Sequence, residues 1–161
     1  MKDIRPRLRG NRLKAFQSIT KEERRILVIG DLHAPFTLDG YFEHCKETYA
    51  NYNCNQVVFI GDIIDNHYSS FHTADPDGLG GGTARTKSKN DMMSTVQGHI
   101  HTQAYTEWMV GKNFKVFGMQ VGCGVDSTSY AAAYAKNFKK QAIGCGVVIG
   151  GHTAINCLME L

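Results

Sequence analysis

With 161 residues, 42% of them hydrophobic, the chain is long enough for one domain with a sizeable core and too apolar to be disordered. Its net charge of +3 is too small to dictate a partner by charge alone. No apolar run approaches the roughly 18 residues that span a bilayer and no signal-peptide stretch opens the chain, so a cytoplasmic location without membrane attachment is expected.

The basic charge is unevenly placed. Residues 1–25 carry Lys2, Arg5, Arg7, Arg9, Arg12, Lys14, Lys21, Arg24 and Arg25 against Asp3, Glu22 and Glu23. Such an arm is either a solvated leader segment or a contact for nucleic-acid phosphates. Phe16 is the one aromatic among the basic residues, which favours the first reading. Residues 26–161 read as a single domain. Within it the pattern predicts a buried strand over 26–30, a helix over 38–52 with Phe42, Cys45 and Tyr49 on one face, and a second strand over 56–60. These form a βαβ unit with parallel strands. Residues 75–90 are first rich in glycine, then polar and basic without apolar periodicity, and read as a flexible joint. Strands follow over 92–97 and 114–121, then a short Ala-rich helix over 129–137. An antiparallel pair over 145–149 and 155–161 closes the chain around a turn at 150–153. Five scattered cysteines without a Cys-x-x-Cys pair read as small core residues, and the glycines around Cys123 as a tight turn rather than a nucleophile's setting.

Two apolar runs end in chemistry. Ile26-Leu-Val-Ile-Gly-Asp-Leu-His33 and Val57-Val-Phe-Ile-Gly-Asp-Ile-Ile-Asp65 are followed downstream by Gly98-His-Ile-His101. Both first motifs fall at the carboxyl ends of neighbouring strands, where α/β sheets bind ligands. Carboxylates and imidazoles together suit Mn, Fe, Zn or Ni. In extended chain, residues i and i+2 point the same way, so Asp31 with His33, and His99 with His101, each present two ligands to one place. The bland alternative is that Asp31 and Asp62 cap turns and helices.

Asp-x-His, Gly-Asp-x-x-Asp and Gly-His-x-His, in that order over residues 26–101, resemble the calcineurin-like metallophosphoesterases. The resemblance implies an α/β fold of α+β-sandwich type, with β-sheets flanked by helices. It implies that Asp31, His33, Asp62 and His101 hold a first divalent metal ion, that Asp62 bridges, and that His99 belongs to a second. Asp62 and His99 are then the catalytic residues, and Asp65 orients the ligands. The implied reaction is hydrolysis of phosphomono- or phosphodiesters, possible substrates being nucleotides or nucleic acid, by a metal-activated water, with manganese the first expectation.

The family pattern also has a Gly-Asn-His followed by Asp or Glu, and a single-His ligand, between the second and third motifs. Only the 32 residues 66–97 are available here, and neither element is visible. A reduced version of the domain is expected, holding one or two ions, with catalysis impaired. His67, His72, Asn90 and His152 are candidate substitute ligands, though each also reads as a turn or cap residue. A metal-binding relative without catalysis and a basic nucleic-acid-associated accessory protein are the alternatives. If central strands are missing, uncovered apolar surface and open sheet edges predict self-association.

Overall fold

The computed structural model describes residues 19–64, 82–129 and 140–160. Most of the expected basic arm, Asp65, His67, His72 and most of the expected helix over 129–137 lie outside the described residues. The elements are β1 (Arg25–Ile29), α1 (Tyr41–Asn51), β2 (Gln56–Phe59), α2 (Ala84–Asp91), β3 (Thr95–Gln97), β4 (Tyr105–Gly111), β5 (Phe114–Gln120), β6 (Gly144–Ile149) and β7 (Thr153–Leu158). No helix among the described residues is long and apolar enough to cross a membrane.

They build a mixed α+β domain with two mixed sheets. The first has the order β2-β1-β6-β7, with β1 parallel to β2 and antiparallel to β6. The second has the order β3-β5-β4, with β5 parallel to β3 and antiparallel to β4. Strand alternation then assigns the faces. Leu27 and Ile29 join Tyr41, Cys45 and Val147 in the core beneath α1. Val28 points the other way, into a second core with Phe117, Met119, Val121 and Val148 between the sheets.

Gly118, between Phe117 and Met119, therefore faces outward. A Cβ there would stand 2.7 Å from the Ala84 carbonyl oxygen, so the missing side chain is what lets α2 lie against β5. Ser88 seals the contact, its hydroxyl bonding the carbonyls of Ala84 and Phe117 at 2.8 and 2.9 Å. The layers run α1, first sheet, second sheet, α2.

Three elements differ from the sequence expectation. Residues 84–91, which overlap the end of the expected joint, are the helix α2, started by Thr83, whose hydroxyl accepts from the Thr86 N–H. The strand expected over 92–97 is shortened to Thr95–Gln97, because Met92 takes a left-handed conformation that ends α2. β4 was not expected, although it forms a full hairpin with β5. The βαβ unit and the closing β6–β7 pair form as expected. All five cysteines are free thiols; four are buried and Cys157 partly so.

Tyr41 ties α1 to the first sheet. It is fully buried, and its hydroxyl donates to the Gly144 carbonyl at 3.0 Å. Tyr41→Phe keeps the ring and removes that bond, so we expect a loss of about 1 kcal/mol. Urea unfolding should show a lower midpoint at an unchanged slope.

Candidate metal centre

β1, β2 and β3 each release a loop at the same end of the sandwich, and each loop carries one of the three motifs. Asp31, two residues beyond β1, is the meeting point. Only 1% of its surface is exposed. One carboxylate oxygen accepts the Asp62 N–H at 2.9 Å, and the other the His99 N–H at 2.5 Å. Its own carbonyl accepts from Gly124, in the loop after β5, at 2.8 Å. The Asp62 carbonyl returns the contact by accepting from Leu32 and His33.

The glycines of the motifs have a steric role here. A Cβ on Gly61 would lie 2.4 Å from one Asp31 carboxylate oxygen, and one on Gly98 would lie 2.7 Å from the other. Gly61 also has φ +80°, a conformation that side chains disfavour. Gly-Asp and Gly-His are thus two walls of a slot shaped for one carboxylate.

Around that slot the ligand atoms form two groups, each within 4.8 Å: Asp31, His33 and His101, and Asp31, Asp62 and His99. His33 and His101 meet edge to face, their ring centres 5.0 Å apart. His101 Nε2 is 3.9 Å from Asp31, and His33 Nε2 is 3.9 Å from the second carboxylate oxygen of Asp62. Asp31 is common to both groups, while Asp62 stands between His33 and the second group. Asp31, His33 and His101 are enclosed, whereas Asp62 and His99 face solvent.

The histidines do not converge by the expected route. An i, i+2 pair shares a direction only in extended chain, and both motifs lie beyond their strands. His33 and His99 sit at φ 46° and 71°, in the left-handed region. That turn separates His99 from His101, which fall in different groups. Such backbone at a ligand cluster marks a geometry imposed by its surroundings.

Burial by itself would push the Asp31 carboxyl up. Its contact with His101 and the N–H donors of Asp62 and His99 outweigh that effect and hold it at about 2. The carboxylate is charged and preorganised. Cys123 contrasts with it: burial pushes its thiol up to about 11, and its sulfur lies 3.6 Å from Gln141 Oε1, so no thiolate is on offer. The donor set is oxygen and imidazole, which fits a divalent ion such as Mn, Fe, Zn or Ni and disfavours a thiophilic one.

Of the proposed substitutes, His152 lies in the β6–β7 turn and bonds the Thr153 hydroxyl at 3.0 Å. Because Arg25 at the start of β1 pairs with Ile149, that turn is at the opposite end of the sheet from Asp31. Asn90 is exposed in the last turn of α2. Gln120 was missed. Fully buried at the end of β5, it donates from Nε2 to the Gly98 carbonyl at 2.7 Å and fixes the Gly-His-x-His loop. A lone glutamine closing the apolar run Val116-Phe-Gly-Met119 was the available signal.

No protein-family model, curated protein or solved structure matches this chain.

Gly98→Ala and Gly61→Ala should both displace the Asp31 carboxylate, lowering metal affinity on the order of 10–100-fold, as for other groups that orient ligands. Gly40→Ala is the control, since it shares the positive φ of Gly61 but would meet only the Met159 methyl at 3.4 Å. Calorimetric Mn²⁺ titration should show normal affinity for that variant. Acid stability gives a second check. The folded-state value of Asp31 lies below its ordinary 3.8. Its contribution is therefore present above pH ~4 and lost as pH falls through ~2. Thermal melting of metal-free protein should drop across that window, and Asp31→Asn should remove this part of the slope.

Proposed function

We propose that the chain binds divalent metal at the Asp31 cluster and hydrolyses phosphate esters there. The supporting observation is that three loops, each following a strand, bring a second carboxylate and three imidazoles around the buried Asp31 carboxylate. Asp31, His33 and His101 would hold one ion, and Asp31, Asp62 and His99 a second. A bound ion would supply Lewis-acid polarisation of a phosphoryl oxygen and activation of water near neutral pH.

The chain's own groups divide the remaining work. Asp31 is held charged before any ion arrives, so metal binding displaces no proton from it. His33 and His101, enclosed and packed edge to face, fix their rings against each other. Exposed Asp62 and His99 form the side that a phosphate ester can reach. The resemblance of the three motifs to calcineurin-like metallophosphoesterases supports this reading; without the family's Gly-Asn-His-Asp/Glu and single-His elements it would be a weaker catalyst than a complete site. Phosphodiesters and phosphomonoesters, including those of nucleotides, are the substrate classes proposed.

Titration calorimetry on metal-stripped protein should show one or two Mn²⁺ ions per chain. Bis(p-nitrophenyl) phosphate should be hydrolysed only with metal present, and Asp62→Asn should lose that turnover while keeping the wild-type fold by circular dichroism. Binding without turnover would reduce the site to a structural or regulatory ion; no binding would sink the reading altogether.

A further inference from the structure

β2 is an unusual edge. β1 lies on one side of it, and no strand lies on the other among the described residues. Its sequence, Gln56-Val-Val-Phe59, carries no charge, proline or bulge of the kind that normally blunts an edge. Both of its faces are apolar and open: Val57 is 45% exposed, Val58 42% and Phe59 50%. On the α1 side, Phe42 and Tyr49 are also exposed and, with Leu27, Ile29 and Val57, line an apolar groove of about 220 Å³. The apolar stripe of α1 thus continues past the end of the sheet onto nothing within the described chain.

The backbone fixes what can pair there. The Ile60 N–H bonds the Ile29 carbonyl, so strand alternation turns the N–H and C=O of Val58 toward β1 and those of Val57 and Phe59 outward. If a second β2 approaches antiparallel about a two-fold axis normal to the sheet, opposing residues must point to the same face. Centring the axis on Val58 satisfies this. Val57 of each copy then faces Phe59 of the other as a hydrogen-bonded pair, and the two Val58 residues meet as a non-hydrogen-bonded pair. All four outward-facing amide groups of each strand are used.

We propose that β2 is the interface of a two-fold homodimer, joining the two first sheets into one of eight strands with the order β7-β6-β1-β2-β2-β1-β6-β7. An identical strand meets the hydrogen-bond register, the uncharged surface and the Val-Phe contacts by symmetry alone. Lys46, the charged side chain at the groove, is already paired with Glu43 at 3.3 Å and adds no net repulsion. The exposed area on Val57, Val58, Phe59, Phe42 and Tyr49 is on the order of 400 Å² per copy, which places the contact near the lower end of specific interfaces and makes the dimer a reversible one. The proposal rests on the strand and stands whether or not the chain binds metal.

Sedimentation velocity over roughly 1–200 µM protein should show monomer giving way to dimer, the range in which an interface of this size exchanges. Val58→Lys sets like charges on the axis and should hold the protein monomeric throughout. A register test uses cysteine pairs instead. Across the axis the Val58 Cα atoms stand about 4.5 Å apart, within disulfide reach. With diamide as the two-electron oxidant, Val58→Cys should give a covalent dimer on a non-reducing gel. Val57→Cys, which opposes Phe59, should not, and neither should wild type. A wild-type chain that stays monomeric at the highest concentration overturns the proposal and leaves the edge to another partner. A dimer in which Val58→Cys fails to cross-link, or cross-links no better than Val57→Cys, overturns it as well. Should Val58→Lys fail to fold, the cysteine comparison decides alone.

Discussion

A single buried carboxylate organises one whole end of this molecule. Asp31 accepts backbone N–H groups from Asp62 and His99, residues 31 and 68 positions further along the chain. Removing a charge from water is costly, by several kcal/mol even after the protein relaxes, unless hydrogen bonds replace the lost hydration. Here two N–H groups do so, and the two glycines beside them let the donors come close enough. The same group therefore holds the loops after β2 and β3 onto β1 and offers its oxygens to both ligand groups. Structure and chemistry cannot be separated at this residue, because any change that removes the charge also releases the loops.

The sandwich serves that arrangement. With β2 and β7 running in the direction of β1, and β3 in that of β5, five strands finish at the same end, three in the first sheet and two in the second. Packing of Val28 against Phe117 and Met119 sets the distance between the sheets and so brings the loops of one within reach of the other. Gln120 and Gly124 extend the network behind the histidines, bonding Gly98 and Asp31 respectively. His33 and His99 are held in backbone conformations they would not choose alone, which is what a network of this density can enforce.

Much of this was legible in the sequence, and the misses have physical causes. β1, α1 and the β6–β7 pair were readable because their apolar residues follow the strand or helix period. α2 was not, because what docks it is small size rather than hydrophobicity: Ala84 and Ser88 fit against Gly118, and period-based reading gives such residues no weight. β4 was overlooked because Tyr105-Thr-Glu-Trp-Met-Val110 does not alternate apolar with polar residues, which leaves the two-residue connection Lys112-Asn113 to Phe114 as the one hairpin signal. At the metal centre the residue types were legible but their grouping was not. The i, i+2 rule presumes extended backbone, and the chain turns left-handed at the positions in question. That the motif glycines exist to admit Asp31 could be seen only once the loops were placed around it.

The order of the strands in the first sheet has a consequence for how the molecule is made. β1, whose loop carries Asp31, lies between β2 and β6, and its register with β6 joins Arg25 to Ile149. During synthesis the βαβ half emerges early but can satisfy only one edge of β1. The other stays open until β6 has left the ribosome, more than a hundred residues later. Pairings this distant fold slowly. The nascent chain thus holds an apolar central strand covered on one edge alone while more than a hundred further residues are made.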